Sequence, residues 1–171
     1  MFDFLKKKKI TETRESRILP FDEIKSMILL VDASKREFLE VKKRSDAFYK
    51  TYGIRGESWY IDLRKLDKDD PLETPFERSI LRDDAKWKKG LPASDRLKAL
   101  LEDEVDVVIS LFDTENPVIE RIFNESKAGF KIARRLSNPK MADILIKDPA
   151  ETGFSQPDSF DYITNFLNKI K

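Results

Sequence analysis

The sequence predicts a three-layer α/β sandwich, a mainly parallel sheet with helices on both faces. Met27-Ile-Leu-Leu-Val31 and Val105–Phe112 are compact apolar runs, the composition of strands covered on both sides. The strand patterns are separated by helical patterns of roughly ten to eighteen residues, which calls for crossovers between parallel neighbours. The length, 171 residues, suits one domain with a core of its own. Residues 1–17 are expected to form a basic, flexible tail, and residues 18–171 the single α/β domain.

The elements follow in order. The Met27–Val31 strand ends at Asp32, after which Ser34 and Glu37 have the spacing of a capping box for a helix. Phe38, Val41, Phe48 and Tyr52 share one face of that helix, and Gly53 is its expected left-handed terminator. Trp59, Ile61 and Leu63 alternate with Tyr60, Asp62 and Arg64, the pattern of a half-buried edge strand. Asp67–Trp87 carries Pro71 and Pro75 amid dense mixed charge, with a short strand expected at 79–82. Lys89-Gly90-Leu91-Pro92 has loop chemistry.

Ser94 or Asp95 then caps a helix with Leu97, Leu100 and Leu101 inward. After the Val105–Phe112 strand, Asn116 caps a helix with Pro117 at its first position, where a missing N–H costs nothing. Ile119, Ile122 and Phe123 form its inner stripe, and Gly129 is expected to close it. Short strands are expected at 130–133 and 143–146. Asp158 is expected to cap a last helix with Phe160, Ile163, Leu167 and Ile170 inward.

Composition excludes several chemistries. With neither Cys nor His, the chain has no disulfide, thiolate nucleophile, imidazole base or Cys/His zinc site. The 33 basic and 32 acidic residues nearly cancel, so a one-sided field for specific nucleic acid is not expected. Met1–Ile10 has a basic run, but Thr11–Arg17 is polar and charged, so no secretory leader is expected and the chain reads as cytoplasmic. Phe2, Phe4 and Leu5 beside Lys6–Lys9 allow weak peripheral contact with anionic lipid, or a solubilising tail.

Ligands of open α/β sheets bind beyond the carboxyl ends of the strands. Two junctions there are legible: Asp32-Ala-Ser34-Lys35, and Asp113-Thr114-Glu115-Asn116. The candidate ligand-binding residues are therefore Asp32, Ser34, Asp113, Thr114 and Asn116. If their strands are neighbours, Asp32 and Asp113 face one crevice and could anchor a divalent ion through water or share a proton. The competing reading is that both acids and their neighbours cap helix ends. No glycine-rich phosphate loop occurs, and only Gly153, in Asp148–Phe154, suits a strand-to-helix loop. No cofactor is implied. Asp143–Pro149 resembles a phospho-acceptor strand of signalling receivers only faintly, because the acid pair and its order are missing.

Lys42-Lys-Arg44, on the outer face of the first helix, reads as solvated surface, and Arg134-Arg135 closes a short strand. Trp87 among Lys86, Lys88 and Lys89 reads as solvated surface or as a basic-aromatic mix able to stack a base or a sugar. An exposed apolar patch there or at Trp59 would make Trp59 and Trp87 the candidate interaction surface for a protein partner or a second copy.

Val105–Asp113 followed by Ser126-Lys-Ala-Gly-Phe-Lys-Ile132 resembles a small bacterial family of unknown function, with Ala133 where that family commonly has glycine. The resemblance implies an α/β fold and no established activity. A local stretch is also similar to the Rossmann-like N-terminal domain of heptosyltransferase-type GT-B enzymes. Ser110 stands where those have Asp, and their donor-binding second domain has no counterpart, so the likeness implies fold only. The expected function is a non-catalytic α/β domain acting through protein contacts or a regulatory ligand. The alternative is a small enzyme or sensor for a phosphorylated or sugar-containing metabolite, using the strand-end carboxylates.

Overall fold

The computed structural model describes residues 18–67, 69–147 and 153–170. The tail and its Phe2–Lys9 lipid contact lie outside them, as does most of the Asp148–Phe154 loop. The expected sandwich is present. A six-stranded sheet runs in the order β3-β2-β1-β6-β7-β8, with every neighbouring pair parallel. Its strands are β1 (Ser26–Asp32), β2 (Arg55–Asp62), β3 (Ser79–Leu81), β6 (Glu104–Ser110), β7 (Lys127–Ala133) and β8 (Ile144–Leu145). A separate hairpin, β4 (Trp87–Lys88) with β5 (Leu91–Pro92), turns through Lys89 and Gly90 at φ 52° and 80°. Two successive positive φ values define the mirror-image turn whose twist suits a two-residue hairpin, so Gly90 is used for its backbone freedom.

The helices are α1 (Phe38–Tyr52), α2 (Asp95–Glu102), α3 (Pro117–Glu125) and α4 (Gln156–Asn168). Alternation along β1 divides the core. Met27, Leu29 and Val31 join Phe38, Val41, Phe160 and Ile163 beneath α1 and α4. Ile28 and Leu30 join Leu97, Leu100, Ile122 and Phe123 beneath α2 and α3. Met27 through Val31 have no exposed surface, which is why their composition carries no polar alternation. Leu29→Ala would remove transfer energy and open a cavity, about 2–5 kcal/mol.

Several local expectations are corrected. β2 is not an edge strand: β1 and β3 flank it, and Ser58 through Asp62 are all buried. Its apparent alternation arises because Tyr60 packs under α1 while Trp59 and Ile61 pack on the opposite face. The Ser34–Glu37 capping box does not form. Glu37 is itself the N-cap, without a side-chain cap bond, and its carboxylate accepts from the Gln156 backbone N–H (3.1 Å). On α1 the buried positions are Phe38, Val41, Ser45 and Tyr49. Phe48 is half-buried, and Tyr52 is exposed against Phe21. Gly129 lies inside β7, and α3 ends at Glu125 with Ser126 as C-cap. Ser155, not Asp158, caps α4.

Other signals hold. Gly53 is left-handed at φ 63°. Ser94 caps α2 through the Leu97 amide, and Asn116 caps α3 through the Val118 and Ile119 amides. The edge on this side of the sheet, β3, is blunted by side chains: Arg96 donates to Ser79 O (2.9 Å), and Leu81 N–H donates to Asp84 Oδ2 (2.9 Å). Such caps deny a pairing partner the edge's free groups. No helix among the described residues is long and apolar enough to cross a membrane.

Candidate functional site at the carboxyl edge of the sheet

With the order 3-2-1-6-7-8, chain direction across the sheet reverses between β1 and β6. This is the topological switch point at which doubly wound folds open a ligand crevice. Asp32 ends β1, and Asp113 follows β6, its parallel neighbour. The two acidic junctions are therefore adjacent, but each acid is engaged separately. Asp32 Oδ1 accepts Ser34 N–H (3.0 Å) and Ser34 Oγ–H (2.5 Å), a self-contained turn. Asp113 Oδ2 accepts Lys35 Nζ at 2.7 Å, and its Oδ1 is buried without a partner. Burial pushes the Asp113 carboxyl up, but Lys35 and then Arg134 outweigh it and hold it below the usual carboxylate range. Asn116 is spent on its cap, and Thr114 is exposed.

Among the described residues, Gln156 and Arg134 reach into the crevice. The side-chain amide of Gln156, 1% exposed, accepts from Asp32 N–H (2.8 Å) and donates to Asp32 O (2.9 Å). It acts as one extra ladder rung where β1 and β6 part. Arg134, at the end of β7, donates to Leu111 O (2.9 Å) and Phe154 O (2.6 Å). It is 6% exposed, a buried guanidinium at the strand end. Lys42 and Arg44 do sit on the outside of α1, paired with Asp46 (2.7 Å) and with Glu40 (3.0 Å) and Asp161 (2.5 Å).

One strand over, Asp62 at the end of β2 repeats the Asp32 motif with an arginine. Its Oδ1 accepts from the Arg64 backbone (3.1 Å) and Nε (3.0 Å), and its Oδ2 accepts from Nη2 (2.8 Å). Burial raises the Asp62 carboxyl, yet the bonds and charge of Arg64 leave it below its ordinary value. Sequence reasoning missed this residue, although Asp62-x-Arg64 has the same i, i+2 spacing as Asp32-x-Ser34. Among the described residues no group of three or more acids stands ready for a metal ion.

An opening lies beside the filled crevice. A cavity of 290 Å³ at the carboxyl ends of β1–β3 is lined by Phe38, Asp62, Arg64, Leu66, Asp70 and Leu72, among others. It lies under the β2–β3 connection, which carries no α-helix among its described residues, only the short turn Phe76–Arg78. Irregular connections this long are uncommon in compact domains and are usually either functional or linker segments. A shallower but larger groove, 500 Å³, runs along α3 between Glu115 and Met141.

The tryptophans occupy different environments. Trp59 is 3% exposed and presents no surface for a partner. Trp87 is half-buried against the α2–α3 side of the core, with the Arg121 guanidinium 4.1 Å from its ring centre.

Fold and site together define a doubly wound α/β domain whose switch point is closed by its own side chains. The chain belongs to a family of unknown function (DUF6913), whose model matches residues 3–159. No curated protein and no solved structure matches it.

Proposed function

We propose that the chain is a non-catalytic binding domain that takes a small regulatory ligand in the cavity at the carboxyl ends of β1–β3. One observation carries the reading. The switch point, where enzymes of this architecture place substrate or cofactor, is filled by Gln156. The Asp113–Lys35 pair and the Arg134 anchors lie around it. Beside it, a cavity of 290 Å³ lies over β2, where Asp62 is locked to Arg64. A bacterial setting belongs to the same proposal and rests on the family resemblance. The likeness to the heptosyltransferase domain supports the layered sheet alone, since Ser110 is 2% exposed at the end of β6.

A second reading, a metabolite enzyme or sensor built on Asp32 and Asp113, is favoured by the buried, unpartnered Asp113 Oδ1. One experiment separates the two. Amide chemical shifts and thermal shifts are recorded with nucleotides, nucleotide sugars, phosphosugars, amines and divalent ions. A ligand at 100 times its Kd adds about 2.7 kcal/mol, which is several degrees for a domain this size. The proposal expects hits that move amides of residues 66–74 and vanish in Leu72→Trp, an exposed lining position. Hits that move residues 113–116 and vanish in Asp32→Asn and Asp113→Asn would replace it with the second reading.

A further inference from the structure

We infer that the cavity over β2 selects an organic cation, a primary ammonium or guanidinium carried on an apolar carbon body. The inference rests on that cavity being the binding site, as proposed above. Its lining carries three carboxylates, Asp62, Asp70 and Glu73, against one guanidinium, Arg64. Asp62 uses both oxygens on Arg64, so that pair is a neutral, fixed part of the wall. The other two are weakly committed. Asp70 Oδ2 accepts one backbone N–H, from Asp67 at 2.9 Å. Glu73 has only a 3.9 Å contact with Arg36, whose side chain is 84% exposed. A pair so long and so exposed contributes little and gives way readily to a better partner.

The remaining lining is carbon. Phe38, Leu66, Pro71, Leu72 and Leu81 supply an apolar wall beside the two acids. Leu66 and Leu72 are left 39% and 41% exposed, large side chains that a ligand's carbon body would cover. An anion would meet a net negative lining, and a polyol would leave the apolar wall uncovered. A cation with a short alkyl body satisfies both halves of the lining. The volume, 290 Å³, lies at the small end of ligand cavities, which favours a compact molecule.

The test is a matched series in which only the head group changes: hexylamine, hexanol and hexanoate, titrated into the full chain with amide shifts as the readout. Asp70 and Glu73 are exposed, so Asp70→Asn/Glu73→Gln is a fold-neutral control. Hexylamine is expected to move residues 66–74 and to bind about tenfold more tightly than the other two. That preference should shrink in salt and disappear in the double variant. If hexanol or hexanoate binds at the same amides as tightly as hexylamine, the binding site stands and the cation inference is overturned. Equal hexylamine affinity in wild type and double variant would overturn it too. If none of the three moves those amides at about 10 mM, a concentration that detects millimolar affinity, both the inference and the reading beneath it fail.

Discussion

Replacing Gln156 with alanine tests the closed switch point directly. The side chain is 1% exposed and joins the N-terminus of α4 to the last residue of β1 by two hydrogen bonds, to Asp32 N–H and Asp32 O. Asp32 is itself only 8% exposed, so the variant strands a buried donor and a buried acceptor. A stranded buried group costs about 1–3 kcal/mol. Two of them, with some relief from entering water, give a destabilisation of about 2–4 kcal/mol. For a chain of this length that lowers Tm by roughly 5–15 °C.

Gln156→Met separates hydrogen bonding from volume, because it fills the space but strands the same two groups. Urea unfolding should show lowered midpoints for both variants with unchanged slopes. Hydrogen exchange should show the Asp32 amide losing protection ahead of the β1 interior. If both variants stay within about 0.5 kcal/mol of wild type and the Asp32 amide remains protected, Gln156 does not close the crevice and the argument for a neighbouring ligand cavity loses its basis.

Gly56→Ala would place a Cβ 2.2 Å from the Tyr49 ring. That ring is buried and its hydroxyl is held 2.8 Å from Ser58 Oγ, so about 2–3 kcal/mol should be lost in chemical denaturation. Asn116→Ala removes the acceptor for the Val118 and Ile119 amides and should cost about 1 kcal/mol, while Asn116→Asp keeps the cap and should stay near wild type. Asp62 and Asp113 both have folded values below the ordinary carboxylate range, so they stabilise the fold at neutral pH, and that contribution is lost as pH falls through the acidic range below about 4. The double variant Asp62→Asn/Asp113→Asn should therefore be less stable than wild type at pH 7 and close to it at the acid end, as read from urea midpoints across pH. Lys35→Met leaves Asp113 without its 2.7 Å partner and should raise the Asp113 titration midpoint, measured by carboxyl-carbon NMR.

The apolar run 27–31 could be read as a strand covered on both faces because β1 has no solvent side to write a polar alternation. Asn116-Pro117 and Gly53 were legible for a related reason: caps and left-handed terminators act within a few residues and depend on local chemistry alone. The same local reasoning placed Asp32 and Asp113 at strand ends and made their adjacency conditional on sheet order. β2 misled because its two faces meet different helices, so Trp59, Tyr60 and Ile61 alternate between two faces that are both buried.

What the chain determines by itself is thus the strands of the main sheet and the helices, the caps at Gly53, Ser94 and Asn116, and the absence of thiol, imidazole and phosphate-loop chemistry. The tertiary structure alone decided who closes the switch point. Gln156 and Asp32 stand 124 residues apart, and nothing near Gln156 marks its amide as a ladder rung. Arg134 looks like any surface arginine until the β6 and α4 approaches supply carbonyl acceptors around it. Periodicity and caps are written within a few residues, whereas a buried polar contact is set by which distant backbone groups are left without partners when the layers close.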